Sequence, residues 1–370
     1  MNESTLLQPI IGSGGDPSDV IITRPAAGWK QAPRHVVTRL INRIRAGIVM
    51  SDHEFVRLGA SPGLRTRLPR ARRTLLAGAA YVVPPEASPL CMWRINHGFS
   101  PTDYLRTGSG GGLRQVGTYV DDPAMLRLGV VGSSGDPHNH FRALGLVNRP
   151  KIPAPIGTGV VDGIRWTVEG FVQGVPPKHP SDEQIDSATR FLIDLPAGSD
   201  PISSIRNAVA RLSAAPTGFD LNRVGDAIET GLAKIPAVVT HGDFWGGNLL
   251  FENGLLTGVV DWDSWEPAGV PGTDLIHLHA ERVRRKIGMS YWDMVMTSFW
   301  RQDPVMSSVV GYLKGRRLPH HNQLLDVIGH AWWLTTAAGA LHRSPTLAKN
   351  QQWMSKNVQL PGGFIAERAT

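Results

Sequence analysis

Apolar and polar positions follow two different rhythms along this chain, strand-like through its middle and helical toward its end. Residues 164–169, Ile-Arg-Trp-Thr-Val-Glu, form a strand by composition. Residues 104–106 and 115–120 read as strands on either side of Thr107-Gly108-Ser109-Gly110-Gly111-Gly112. Further on, Ala237-Val238-Val239 is a short β-branched run that stops at Thr240-His241-Gly242. Leu249-Leu250-Phe251 and residues 256–260 read as the two arms of a hairpin turned by Glu252-Asn253-Gly254. Beyond Asp274 the pattern is mostly helical, with aromatic pairs at Tyr291-Trp292, Phe299-Trp300 and Trp332-Trp333. Near the start, Val36, Val37, Leu40, Ile41, Ile44 and Ile48 recur at helical spacing, with Arg39 and Arg43 off that stripe.

The hairpin carries the chemistry. Asp243 falls on the loop just after a strand, and Gly246-Gly247 permits a tight path that swings Asn248 back toward it. Hairpin geometry brings Asn248, just before the first arm, to face Asp261, just after the second. Two oxygen ligands so placed suit Mg²⁺, which fills its remaining shell with water and phosphate oxygens. The plainer alternative is that Asp243 and Asp261 cap turns.

The pattern His241-Gly242-Asp243, four residues, Asn248, and then Asp261-Trp262-Asp263 resembles the catalytic and metal-binding loops of the aminoglycoside phosphotransferase and choline kinase group, which shares the protein-kinase fold. The resemblance implies an enzyme that transfers the γ-phosphoryl group of ATP or GTP, with Mg²⁺. That chemistry asks for positioning, charge neutralisation and a carboxylate to orient the attacking hydroxyl. Asp243 is the candidate for the carboxylate. Asn248 and Asp261 are candidates for the metal, Asp263 for a second metal or an outer oxygen, and His241 for support of the loop. Asp274, in Pro271-Gly272-Thr273-Asp274-Leu275, matches a family position that steadies the catalytic loop; a helix N-terminal acid is the other reading.

Upstream, residues 164–169 followed by Gly170-Phe171 look like the family's hinge, whose backbone around Glu169 and Phe171 would hold the base; a generic edge strand has the same composition. Gly108, Gly110, Gly111 and Gly112 read as a loop over nucleotide phosphates, or equally as a flexible hairpin tip. Two departures follow. Arg127 stands where a phosphate-binding Lys is expected, and the two side chains differ in shape. His140 or Asn139 stands where the next helix should supply a Glu to pair with that base, and an Arg–His pair forms no such ion pair.

Composition is that of an ordinary globular chain: 370 residues, 41% hydrophobic, 19% charged. A single cysteine, Cys91, allows no internal disulfide and fits a cytoplasmic location. No secretory signal or spanning segment is visible. His277 and His279, two apart on a helix, point to different faces and offer no metal pair. Positive charge gathers at both ends. Residues 1–90 hold twelve Lys+Arg against six Asp+Glu, and residues 275–370 hold twelve against five. The first excess suggests contact with an anionic membrane or nucleic acid, against the simpler reading of a helix packed on the small lobe. The second disfavours a polycationic acceptor and favours a neutral or anionic one, such as a sugar derivative. The aromatic pairs could stack on such a ring or simply pack the core.

The expectation is an α+β, two-lobed, kinase-like fold: a basic extension over 1–90, partly disordered or helical; a small antiparallel-sheet lobe for the nucleotide over 91–170; and a larger helical lobe over 171–370 with the catalytic hairpin and acceptor site. The expected activity is phosphoryl transfer to a hydroxyl of a small molecule. Two alternatives stand beside it, a catalytically degenerate nucleotide-binding relative and a protein that works through its arginine-rich extension.

Overall fold

Antiparallel pairing of short strands builds the first of two compact units, as their alternating composition leads one to expect. A computed structural model describes residues 49–51, 54–56, 99–107, 113–119, 122–132, 136–161 and 164–368. The apolar stripe of residues 36–48, Cys91 and the glycines at 108, 110, 111 and 112 lie outside the described residues. The first unit takes in the described residues up to Phe141 together with Ala154–Phe171; the second takes in Arg142–Pro153 and the chain from Val172 onward.

In the first unit, β1 (Val49–Ser51) pairs with β2 (Glu54–Val56). A five-stranded sheet follows, made of β3 (Phe99–Thr107), β4 (Leu113–Tyr119), β5 (Asp122–Val130), β6 (Pro155–Val161) and β7 (Ile164–Gly170). Their order is β3-β4-β5-β7-β6, every pairing antiparallel. The register of β5 on β7 sets Arg127 opposite Thr167 and Met125 opposite Glu169. Because side chains alternate between faces, Arg127 and Glu169 are diagonal neighbours on one face. Helix α1 (His138–Val147) follows β5, and the division between the units falls within it.

The second unit is mostly helical. Helix α2 (Asp182–Ile193) starts from a capping box in which Ser181 and Gln184 satisfy each other's backbone, and α3 (Ile202–Leu212) and α4 (Leu221–Leu232) follow. Strand β8 (Val238–Thr240) pairs with β11 (Glu266–Gly269), and between them β9 (Leu249–Glu252) and β10 (Leu255–Val259) form the hairpin. Its two-residue turn has positive φ at both Asn253 (50°) and Gly254 (79°), the Asn-Gly turn that matches strand twist. Then come α5 (Thr273–Ile287), α6 (Tyr291–Met296), α7 (Val305–Gly315), α8 (Asn322–Arg343), α9 (Gln351–Met354) and α10 (Leu360–Arg368).

One hydrophobic core runs through this unit. Trp262, Trp300, Trp332 and Trp333 are among its largest fully buried side chains, and Tyr291 and Phe299 are buried with them. The aromatic pairs therefore serve packing, with only Trp292 half-buried. No described helix is long and apolar enough to cross a membrane.

Candidate functional site

The loop after β8 is shaped by one glycine. Gly242 has φ +74°, and a Cβ there would fall on the Ser264 carbonyl oxygen, so both the conformation and the close approach require glycine. The tight path is held from below by Asp274, buried in the first turn of α5. Its Oδ2 accepts from the His241 backbone N–H at 2.8 Å and its Oδ1 from that of Gly242 at 3.0 Å. Burial pushes the Asp274 carboxyl up, against the pull of His241, these two backbone bonds and His277.

His241 is fully buried and ties the loop to the hairpin. Its Nε2 lies 3.0 Å from the Val260 carbonyl oxygen, and its Nδ1 accepts from the Asp243 backbone N–H at 3.3 Å. The pair makes Nε2 the donor to Val260 and Nδ1 the acceptor from Asp243. Its ring also packs against Trp262, centroids 4.6 Å apart.

Asp243 emerges from this support. Asn248 returns to it as the paired glycines suggest: its Nδ2 donates to the Asp243 carbonyl oxygen at 2.9 Å and to Oδ2 at 3.1 Å. With the amide nitrogen so engaged, Oδ1 is the side-chain atom of Asn248 that can serve as a metal donor. The Val260 backbone N–H donates to the Asn248 carbonyl at 2.9 Å, which closes the hairpin mouth with Asp261 the next residue along the chain. Asp261 adopts the left-handed conformation, φ 72° and ψ 56°, one that Asp tolerates better than most residues. Trp262 is sunk in the core, its indole donating to the Val259 carbonyl at 2.9 Å, and Asp263 beyond it is exposed. Among the described residues no three His, Cys, Asp or Glu side chains gather as a metal cluster.

One neighbour of Asp243 escapes sequence reading. His277 Nε2 lies 3.5 Å from Asp243 Oδ1. Burial works to raise the Asp243 pKa, but the His277 imidazole beside it, with Arg343 and His241, outweighs it and holds the carboxyl down at about 2. The available signal was spacing: His277 is three residues after Asp274, hence on the same helix face, whereas comparison with His279 leads away from the site. Two arginines also flank the loop. Arg343 donates to Ser264 Oγ at 2.9 Å and has no carboxylate within ion-pair distance among the described residues, and Arg285 lies 3.7 Å over the Trp245 ring. Arg285 shares Glu281 with Arg284.

In the first unit the missing acid is found, which corrects the expectation drawn from His140 and Asn139. Arg127 Nε donates to Glu169 Oε1 at 3.1 Å, and His140 Nε2 bonds Glu169 Oε2; all three side chains are buried. The acid comes from β7 rather than from the helix. The diagonal register of β5 and β7 places it, although 42 residues separate it from Arg127. Burial works against the Glu169 carboxylate, yet Arg127 and then His140 more than compensate and lower its pKa to about 2. Glu169, singled out for its backbone, thus has a structural side chain, while Phe171 at the end of this unit is 38% exposed.

A family model described as the phosphotransferase enzyme family matches residues 94–306. No curated protein sequence matches the chain. Among solved structures, the apo form of a thermostable mutant of aminoglycoside phosphotransferase APH(4)-Ia is 13% identical, with a TM-score of 0.46 over 73% of this chain and 96% of its own. Aminoglycoside phosphotransferase APH(3'')-Id from Streptomyces rimosus is 17% identical, TM-score 0.42, over 65% of this chain and 93% of its own. An aminoglycoside-3'-phosphotransferase of type VIII is 16% identical, TM-score 0.43, over 63% and 93%.

Proposed function

The chain belongs to the phosphotransferase enzyme family, and on that premise we propose that it moves the γ-phosphoryl group of ATP, or of GTP, to a hydroxyl of a small molecule. The observation that carries this reading is Asp243, a carboxylate on a loop pinned by Asp274 and His241, with one oxygen held by Asn248. In the reaction the acceptor oxygen bonds to the γ-phosphorus, the bond from that phosphorus to the nucleoside diphosphate breaks, and the hydroxyl proton passes to Asp243. A carboxyl held near pKa 2 is a weak base, so its main work is to orient the hydroxyl and take the proton late.

Asn248 Oδ1 and the Asp261 carboxylate are hard oxygen donors of the kind Mg²⁺ takes in ones and twos, with Asp263 as a further oxygen nearby. They would hold the ion, which would neutralise charge on the phosphates. Arg127, the backbone about Glu169 and Phe171, and the glycines at 108, 110, 111 and 112 are the proposed nucleotide contacts. The nucleotide lobe is proposed to span 91–170 and the acceptor lobe 171–370, after the extension over 1–90, although Arg142–Pro153 cluster with the second unit.

A neutral or anionic acceptor fits the surroundings better than a polycationic one. Arg343, which has no carboxylate partner among the described residues, brings its guanidinium to Ser264, whose carbonyl abuts Gly242 beside Asp243. The test is nucleotide consumption by the full chain with Mg²⁺ across a panel of hydroxyl compounds, from sugars and sugar phosphates to aminoglycosides, with product detected by ³¹P NMR. Turnover confined to aminoglycosides would overturn the acceptor class, and no turnover with any acceptor would overturn the reaction.

A further inference from the structure

His277 occupies a position that the reaction so far leaves unexplained. It sits on α5 one turn beyond Asp274 and is 6% exposed. Its Nε2 is buried and has no hydrogen-bond partner among the described residues, yet it lies 3.5 Å from Asp243 Oδ1. On the other side of the ring, Trp332 of α8 directs its indole N–H at Nδ1, 3.4 Å away. An indole nitrogen only donates, so Nδ1 carries the lone pair and the proton resides on Nε2, the nitrogen that faces Asp243. Trp332 is itself immobilised: it is 1% exposed and meets the Tyr291 ring edge-on at 5.7 Å.

A buried donor without an acceptor is costly, and the carboxylate beside it is the acceptor that would satisfy it. A separation of 3.5 Å is just beyond a normal bond, and catalytic hydrogen bonds of that length often tighten in the Michaelis complex. Asp243 Oδ2 already accepts from Asn248. We infer that His277, its tautomer set by Trp332, is a positioning residue for Asp243, donating from Nε2 to Oδ1 so that each oxygen of the carboxylate has its own donor. The inference rests on the reading of Asp243 given above. Held at both oxygens, the carboxylate keeps one rotamer through turnover. His277 touches neither the transferred group nor the proton.

The test uses the full chain in two arms. In the first, ¹⁵N-labelled histidine is followed by NMR in the wild type and in Asp243→Asn. The expected result is a His277 ring protonated at Nε2 and bare at Nδ1, whose Nε2–H resonance moves on Asp243→Asn while those of His279 and His330 stay in place. A His277 resonance that ignores Asp243→Asn overturns the contact. In the second arm, His277→Phe and His277→Gln are compared with the wild type in phosphoryl transfer, to water or to any acceptor found. His277→Phe is expected to lower kcat about 10- to 100-fold with nucleotide Kd unchanged, as loss of an orienting partner does. His277→Gln, whose side-chain amide can still donate to Oδ1, is expected to recover most of the loss. Wild-type kcat in His277→Phe, or a Gln variant as slow as the Phe variant, overturns the positioning role. A wild type that transfers no phosphoryl group sinks the reading of Asp243 instead, and the contact is then decided by the resonance alone.

Discussion

Asp243 is the residue on which the reaction turns, and its two kinds of support lead to separable expectations. Asp243→Asn keeps the shape and the bond from Asn248 but removes the proton acceptor. It should lower kcat by about 10² to 10⁴ and leave nucleotide affinity nearly unchanged, as turnover and calorimetric titration would report. A variant with wild-type turnover would remove Asp243 from the mechanism. Asp261 takes a left-handed backbone at the hairpin mouth, one residue after the Val260 that bonds Asn248. Asp261→Ala should abolish Mg²⁺-dependent nucleotide binding, and Asn248→Ala should raise the Mg²⁺ needed for half-saturation. If both variants keep the wild-type Mg²⁺ dependence, these two residues do not share an ion.

Elements decide how such residues are delivered. The loop after β8 holds its course because Gly242 can take φ +74° with the Ser264 carbonyl against it. Gly242→Ala should therefore distort the backbone bonds to Asp274 and reduce both thermal stability and turnover. A fully active variant would show that the loop tolerates another path. In the sheet, β5 and β7 join Arg127 to Glu169 across a buried diagonal. Removing one member of such a pair takes from a buried charge its nearest opposite charge, which destabilises the fold. Arg127→Ala and Glu169→Gln are thus each expected to lower Tm sharply. The double variant should be less destabilised than the two single losses summed, because the second change strands no charge. Additive losses in thermal melts would mean that the pair is not coupled.

For the whole molecule, buried titratable groups link stability to pH with a definite sign. Burial, aided by Arg282 for His279, holds the pKa values of His279 and His330 near 4. Their unfolded forms bind protons at a higher pH than their folded forms. The stability they contribute is complete above about pH 6.5 and is lost as pH falls toward 4. Glu169 and Asp243, both lowered to about 2, contribute stability that is present above their unfolded pKa values and is lost between roughly pH 4.5 and 2. Asp274 and Glu266, raised by burial, work in the opposite direction. Acidification from pH 7 to 4 should accordingly cost the wild type more Tm than it costs His279→Gln, which has no ring to protonate. Parallel Tm profiles for the two proteins would contradict this.

How much of this was legible in the amino-acid order depends on distance along the chain. The strand before Asp243, the hairpin with its Asn-Gly turn and the return of Asn248 all lie within about two dozen residues, where backbone geometry and turn chemistry leave few choices. The antiparallel sheet and the helical second unit were legible for the same reason, since period and composition are local quantities. What only the tertiary structure decided are the partners brought in from far away. Glu169 meets Arg127 because of strand register, not because of any motif. Trp332 fixes the ring of His277 from a helix 55 residues away. The aromatic pairs, Trp292 apart, fill a core. A sequence names the groups that can bond, but register and helix packing choose among distant partners, because burial penalises every polar group left without one.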